Sequence, residues 1–152
     1  MGFQKTLILV AALSASPSTA KVDRFEELYC LANNIYFESR NQPKLGQIAV
    51  GQVTMNRVNS PKFPDTVCGV VKQGGEKRNR CQFSWYCDGK SDEHEGGTSW
   101  DQSVYLALLI YSEEFTVDVT EGALWYHATY VNPSWAEHYE KTVRINEHIF
   151  YR

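Results

Sequence analysis

Apolar residues recur every three or four positions in the first half of the chain, which is the spacing of an amphipathic α-helix. The pattern predicts a helix over residues 24–40, with Asp23 as its N-cap. A second helix is expected over residues 44–59, after the helix-stopping Asn41-Gln42-Pro43. The domain is therefore expected to begin with two long, adjacent helices.

Two further helices are predicted before the chain changes character. Asp65 can cap a short helix over residues 66–73, and a longer helix is expected over residues 99–115. Between them, residues 81–87 are predicted to be extended, and the polar residues 88–98 to form a surface loop. The inner face of the longer helix is expected to carry four apolar residues: Trp100, Val104, Leu108 and Tyr111.

The C-terminal third contains short segments typical of β-strands. Strands are predicted over residues 123–128, 142–145 and 148–151, and Asn146-Glu147 is a suitable two-residue turn between the last two. Helices first and a small antiparallel sheet late give the fold class α+β.

The first twenty residues have the order of a secretory signal. Lys5 precedes an apolar run over residues 6–13, and small residues lead to Ala20. The run is shorter than the roughly 20 residues that a membrane-spanning helix needs. We therefore expect a signal peptide over residues 1–20, a mature domain over residues 21–152, export to the periplasm or the extracellular wall, and only transient membrane contact. A core helix and a retained anchor are the alternatives.

The four cysteines are compatible with an exported protein, where disulfides persist. Cys81 and Cys87 are close enough in sequence to clip a short loop, which leaves Cys30 to pair with Cys68, one of three connectivities that four cysteines allow. Zinc is disfavoured because the chain has no Cys-x-x-Cys pair and its four histidines are scattered. We predict no metal and no cofactor.

Charge and composition exclude some classes of function. The net charge is −3 and there is no long basic run, which argues against a nucleic-acid partner. Neither a Gly-x-Gly-x-x-Gly loop nor a Gly-x-Ser-x-Gly elbow occurs. Aromatic residues make up 13% of the chain, so rings beyond those of the core are available to stack against a ligand such as a sugar.

Glu38 is the acidic residue that best suits catalysis. It follows the apolar residues Ile35, Tyr36 and Phe37 at the end of the first predicted helix. A poorly solvated carboxyl has a raised pKa and can act as a general acid near neutral pH. The alternative is a surface glutamate paired with Arg40.

Two aromatic segments are candidates for a sugar-binding groove. The first contains Gln82, Ser84 and Trp85 within the Cys81–Cys87 loop, and the second contains Tyr126 and His127 in the first predicted strand. Ordinary core packing is the alternative for both segments.

Taken in order, several segments resemble the cell wall hydrolase family of spore-cortex-lytic enzymes, the SleB-type hydrolases. The resemblance extends from about Leu28 to Tyr151. It depends on the order of the segments and the gaps between them, because no single segment is sufficient. The segments are Leu31-Ala32-x2-Ile35-Tyr36-Phe37-Glu38-Ser39-Arg40, Gly46-Gln47-x-Ala49-Val50-x2-Val53-x2-Asn56-Arg57-Val58, Phe63-Pro64-Asp65-Thr66-Val67-Cys68-x-Val70-Val71-x-Gln73, Cys81-Gln82-Phe83-Ser84-Trp85-x-Cys87-Asp88-Gly89, Gly122-Ala123-x2-Tyr126-His127, Pro133-x-Trp135-Ala136 and His148-x-Phe150-Tyr151.

The resemblance implies a lysozyme-like α+β fold and an enzyme that cuts peptidoglycan glycan strands between N-acetylmuramic acid and N-acetylglucosamine. It also implies a single catalytic glutamate in the Tyr-Phe-Glu motif, which is Glu38 here. The family usually has Ala after this Glu, where this chain has Ser39, and the family's Asp-x-Thr-x-Gly pattern is kept at residues 118–122.

Several alternatives stay open at the level of sequence. Glu121 is the candidate for a second carboxylate; without one, the 2-acetamido or 6-hydroxyl group of muramic acid would complete the reaction, the latter giving a 1,6-anhydro product. A non-catalytic module that binds peptidoglycan or chitin-like glycans is the alternative function. A cellular wall-remodelling enzyme and a virus-encoded endolysin are equally open, and a monomer is expected.

Overall fold

Two long helices lie side by side at the start of the region that the structure, a computed structural model, describes, namely residues 23–152. Helix α1 spans Arg24–Ser39 and helix α2 spans Lys44–Val58. The side chain of Asp23 accepts a hydrogen bond from the backbone N–H of Phe25 at 2.9 Å, so the predicted N-cap is confirmed. The predicted signal peptide, residues 1–20, lies outside the described residues.

The short helix α3, Val67–Val71, differs from the prediction at its start. Its N-cap is Thr66, whose side-chain oxygen accepts a hydrogen bond from the Gly69 N–H at 3.1 Å, so the prediction of an Asp65 cap is wrong. The buried carboxylate of Glu27 also accepts hydrogen bonds from the Val67 and Cys68 N–H groups. Free N–H groups at the start of α3 are thus satisfied from α1, which fixes the start of the helix.

The segment after α3 is not extended as predicted, because Ser84–Cys87 forms a 3-10 helix. Phe83 is buried in the core beside it, and the Trp85 indole N–H donates to Asn34 Oδ1 at 3.0 Å. Residues two apart share one face of a strand, so these anchors alone do not exclude an extended segment. The Cys81–Cys87 disulfide does, because it holds the two Cα atoms 6.0 Å apart, whereas six extended residues span about 20 Å.

Helix α4 spans Gly97–Tyr111, and its buried face matches the prediction only in part. Trp100 and Tyr111 are partly buried and pack against the core as predicted. Val104 and Leu108 are 42% and 52% exposed, whereas the buried residues are Ser103, Leu106, Ala107 and Ile110. Both faces have helical spacing, but the small side chains of Ser103 and Ala107 let α4 approach α1 and α2 closely. Gly51 of α2 makes this close approach possible. Any larger residue there would place its Cβ only 2.5 Å from Ile110 Cδ1 of α4.

A three-stranded antiparallel sheet follows, as predicted, in the order β1-β3-β2. Strand β1 spans Trp125–Ala128, β2 spans Lys141–Ile145 and β3 spans His148–Tyr151. Asn146 adopts φ 50° in the turn between β2 and β3, a conformation that asparagine tolerates well. The predicted α+β class is confirmed.

The sheet packs on α2 through a second small core, which brings β1 close to the helices. Ala49 and Val53 of α2 contact a cluster that includes Ala123, Ile145 and Phe150. Two disulfides complete the framework, Cys30–Cys68 and Cys81–Cys87. Among residues 23–152, no helix has the length and apolar content needed to cross a bilayer.

Asp118 organises the turn that leads into β1. Its carboxylate accepts hydrogen bonds from Asn56 Nδ2, from both the N–H and the hydroxyl of Thr120, and from the Gly122 N–H, at 2.7–2.9 Å. Burial alone would raise the pKa of Asp118, but the hydrogen bonds outweigh burial and lower it. A lowered folded-state pKa stabilises the fold above the unfolded value of about 3.9, and this stabilisation is lost as the pH falls through the folded value.

Replacing Asp118 by Asn should therefore lower the free energy of unfolding at pH 7 by about 1–3 kcal/mol, nearer the lower value because the carboxylate is partly exposed. Urea denaturation between pH 7 and pH 2 measures the effect. The difference in free energy of unfolding between parent and variant should become smaller below about pH 4, where the Asp118 carboxylate of the parent becomes protonated. Asp101→Asn, at an exposed position on α4, is the matched control; an Asp118→Asn loss that does not change with pH would contradict this role.

Candidate active site

Glu38 lies in the last turn of α1, half-buried between the helices and the sheet. The neighbouring Ser39 is fully buried, and its hydroxyl donates to the Ile35 carbonyl at 2.8 Å, which accommodates the hydroxyl where the family usually has alanine. Burial raises the pKa of the Glu38 carboxyl above its ordinary value, although Tyr126 and Arg57 both act to lower it. The carboxyl is thus biased towards its neutral form, which a general acid requires.

Tyr126 is the direct partner of Glu38. Its hydroxyl donates to Glu38 Oε2 at 2.8 Å, joining β1 to α1. The Tyr126 ring packs against the rings of both His148 and Phe150, with centres 5.2 and 5.5 Å away. Burial, together with the nearby Glu38, raises the pKa of Tyr126 well above its ordinary value, so the hydroxyl keeps its proton and remains a donor.

Arg57 supplies a buried positive charge near this pair. Its guanidinium is held by the Leu124 carbonyl, which accepts from Nε at 2.7 Å, and it lies 4.9 Å from the ring centre of Phe83. Its charge lowers the pKa of Glu38, so it stabilises the carboxylate when the proton leaves. Sequence reasoning did not select Arg57 as a site residue, although the Asn56-Arg57-Val58 segment was part of the resemblance.

Trp85 borders the site on the side away from the sheet. Its ring stacks on Phe37 with 4.7 Å between the centres, and its indole N–H is fixed by Asn34. Trp85 is thus tied to α1 through Phe37 and Asn34, the first of which precedes Glu38 in the chain. Ser84, in the same 3-10 helix, is exposed.

Two clefts lie beside residues that contact or flank Glu38, which itself lines neither of them. The sheet-side cleft, of about 370 Å³, is reached through Tyr126, and the loop-side cleft, of about 400 Å³, contains Phe37, Arg40 and Trp85. Aromatic walls with a few polar groups are typical of ligand sites. The lining of the sheet-side cleft is Arg57, Gln82, Trp125, Tyr126, Trp135 and Tyr139.

Trp135 and Tyr139 were not selected from the sequence. The Trp125 and Tyr139 rings stack with 4.0 Å between their centres, and Trp135 meets Tyr139 edge-on at 6.1 Å. Trp135 lies in a 3-10 helix, Ser134–His138, that follows Pro133. The Pro133-x-Trp135-Ala136 segment was the available signal for this residue.

His127 lies on the opposite face of β1 from Tyr126, as alternation along a strand requires. Its Nε2 is 2.9 Å from the Tyr151 hydroxyl and its ring stacks on that of Tyr151. It is not among the residues that line either cleft. The contacts in the structure are therefore those of a residue that supports the sheet.

Glu121 is exposed, in the turn before β1, with φ 57°. Its carbonyl accepts from Arg152, and the groups that shift the pKa of Glu38 are Tyr126 and Arg57 rather than Glu121. Within residues 23–152, no group of three His, Cys, Asp or Glu side chains is placed to hold a metal ion.

The fold has counterparts among solved structures. The catalytic domain of the Bacillus cereus SleB protein superposes with a TM-score of 0.65 at 30% identity, covering 84% of this chain and 91% of that one. The catalytic domain of the germination-specific lytic transglycosylase SleB from Bacillus anthracis superposes with a TM-score of 0.67 at 28% identity, covering 90% and 100%. The fold is thus that of a SleB catalytic domain.

Sequence comparison gives the family. The family model described as Cell Wall Hydrolase matches residues 41–151, and the chain belongs to this family of cell wall hydrolases. Spore cortex-lytic enzymes from Bacillus cereus and Bacillus subtilis are 51% and 44% identical over 45 residues, which is 30% of this chain but only 17% and 15% of those enzymes. The resemblance described above is confirmed. The matched family range begins three residues after Glu38, so the role of Glu38 is argued below from its geometry.

Proposed function

We propose that this protein cleaves the glycan strand of peptidoglycan between N-acetylmuramic acid and N-acetylglucosamine, with Glu38 as the single general acid and base. One observation carries the proposal: a half-buried carboxyl with a raised pKa is hydrogen-bonded to a tyrosine beside an aromatic cleft. Family membership and the titles of the related enzymes support the same class of substrate.

The first step needs a proton on the leaving oxygen. Because Tyr126 donates to Oε2 of Glu38, Oε1 is left to carry the acidic proton. Transfer of this proton to the glycosidic oxygen breaks the bond between that oxygen and C1 of muramic acid, and the bonding electrons stay on the oxygen. Glu38 becomes a carboxylate, which the Tyr126 hydroxyl and the charge of Arg57 stabilise.

The second step returns the proton to Glu38. As a base, the carboxylate takes a proton from a water molecule, giving a reducing muramic end, or from the C6 hydroxyl of the same sugar, giving the 1,6-anhydro end. Glu121 is exposed and outside the charged surroundings of Glu38, which favours a route with one carboxylate from the protein. The acetamido or C6 hydroxyl group of the substrate then completes the reaction.

The aromatic walls suit the binding of sugar rings. Trp125, Trp135 and Tyr139 provide apolar faces on the sheet side, with the Gln82 amide beside them. Trp85 and Phe37 provide a stacked pair on the loop side. We propose that the glycan strand passes from one cleft to the other across Glu38, with Tyr126 positioning the acid.

The same proposal places the enzyme outside the cytoplasm, as a monomer. Residues 1–20 have the order of a secretory signal, and the domain carries two disulfides.

The experiment for the proposal as a whole incubates the full chain with purified murein sacculi and measures turbidity and soluble fragments. Loss of turbidity with release of fragments supports the enzyme; co-sedimentation without release would replace it by a binding module.

Tyr126→Phe tests the hydrogen bond to Glu38. Removing the donor should raise the pKa of Glu38 further, because this hydrogen bond lowers it in the parent. The alkaline limb of the kcat/KM profile, where the acid loses its proton, should therefore move to higher pH, and the maximum should fall about tenfold, as for loss of one charge-assisted hydrogen bond.

A pH–rate profile on soluble glycan fragments makes this measurement. Tyr130→Phe is the matched control, because Tyr130 is 83% exposed. An alkaline limb that stays in place, or moves to lower pH, would contradict the proposed contact.

A further inference from the structure

A third cavity, of about 580 Å³, runs along the first half of α1. We call it the α1 cavity. Its floor contains Tyr29 and Asn33 of α1, and its walls include Trp85, Tyr86 and the segment 91–93. None of the steps above uses it, although it is larger than either cleft beside Glu38.

Asn33 is an unusual component of this cavity. The side chain is only 6% exposed, and within residues 23–152 its Oδ1 has no hydrogen-bond partner. Buried polar atoms are almost always paired, so an unpaired one on a residue that lines a cavity points to a ligand. A carboxamide offers both a donor and an acceptor, and its natural complement is another amide group.

The rim of the cavity is acidic. Glu26 pairs with Lys72 at 3.5 Å, whereas Asp92 and Glu93 form no ion pair within the part of the chain that the structure describes. The rim therefore has an excess of negative charge, which favours a group that carries an ammonium. A ligand with both an amide and an ammonium satisfies Asn33 and the rim together.

The cavity is continuous with the site around Glu38. Trp85, Ser91 and Glu93 line both the α1 cavity and the loop-side cleft. Asn33 precedes Glu38 by five residues on the same helix, which corresponds to about 7–8 Å along the axis. A group bound in the cavity can thus belong to the same substrate molecule that Glu38 attacks.

We propose that the α1 cavity binds the stem peptide of peptidoglycan, with Asn33 on a peptide amide and Asp92 and Glu93 facing the side-chain ammonium of its diamino acid. This rests on the proposed function. The stem is attached to the muramic acid residue next to the cleaved bond, and it carries both groups. The sugars carry acetamido amides but no cation. The stem also carries carboxylates, so the acidic rim selects only its ammonium, which must lie against the rim with the carboxylates directed away from it.

The experiment compares three soluble, uncross-linked glycans: one with intact stems, one with its free amines acetylated and one stripped of its stems by an amidase. For the parent, kcat/KM should fall about threefold on acetylation, the size expected of an exposed ion pair. Removing the stems should lower kcat/KM about tenfold more, because the amide contacts to the stem are lost and KM rises.

Two variants locate the effect. The double variant Asp92→Asn/Glu93→Gln, at exposed positions where folding is not at stake, should abolish the difference between intact and acetylated glycan. Asn33→Leu should raise KM for both stem-bearing glycans and leave kcat on stripped glycan unchanged, whereas a merely structural Asn33 would not distinguish the substrates. Glu137→Gln, exposed on the Ser134–His138 helix, is the matched control.

Equal kcat/KM on all three glycans would overturn the inference and leave the proposed function intact, since all three are still cleaved. An Asn33→Leu loss of equal size on all three, with no effect of acetylation, would also overturn it and assign the cavity to a sugar acetamido group. Cleavage of none of them would instead reject the proposed function itself.

Discussion

Glu38→Gln should lower the rate of glycan cleavage by a factor of about 10²–10⁴, the range that a positioned general acid and base contributes. The amide has nearly the same shape as the carboxyl and can still accept from Tyr126, but it cannot transfer a proton to the glycosidic oxygen. Burial raises the pKa of this carboxyl, so a neutral amide of the same shape is compatible with the site, and we expect the variant to fold. Release of soluble fragments from purified sacculi measures the rate.

Glu121→Gln is the matched control for this experiment. It makes the same chemical change in an exposed turn, and it also tests the candidate second carboxylate. The account predicts activity within about twofold of the parent, since surface substitutions of this kind are close to neutral. A Glu38→Gln variant that lyses sacculi as fast as the parent would falsify the assignment of Glu38, and a large loss in Glu121→Gln would make the mechanism one of two carboxylates.

Removing the Cys30–Cys68 disulfide by a double change to alanine should lower the free energy of unfolding by about 4 kcal/mol, from the chain-entropy relation for a loop of this size. The two cysteines are 38 residues apart, and the bond ties α1 to α3. Urea denaturation of the oxidised proteins measures the loss.

The second disulfide supplies an internal comparison. Cys81 and Cys87 are only six residues apart, so the same relation gives about 2 kcal/mol for the corresponding double alanine variant. Under reducing conditions both variants should approach the stability of the reduced parent. A larger loss of unfolding free energy in Cys81→Ala/Cys87→Ala than in Cys30→Ala/Cys68→Ala, or no loss in the latter, would contradict the role given to the longer loop.

The helices α1 and α2 and the late sheet could be predicted because their signals are local. Apolar spacing and the Asp23 cap lie within the elements that they define. The buried face of α4 could not be predicted in this way, since Val104 and Ser103 belong to two faces with equally good spacing. The choice depends on how closely Gly51 lets the helices approach, which is a property of packing.

The site shows the same division. Glu38 was selected as a candidate from its apolar neighbours and its motif, but its hydrogen bond to Tyr126 spans 88 residues. Arg57 likewise reaches the Leu124 carbonyl across 67 residues, and Trp135 and Tyr139 join the cleft only through the sheet. Such contacts arise from the docking of β1 against the helices, which no local pattern encodes.

The most direct test of the central claim is mass spectrometry of the soluble fragments that the parent and Glu38→Gln release from the same sacculi. We expect new muramic acid ends from the parent, either reducing or in the 1,6-anhydro form, and at most a hundredth as many from the variant in the same time. Reducing N-acetylglucosamine ends, or muramic ends released equally by both proteins, would contradict that claim.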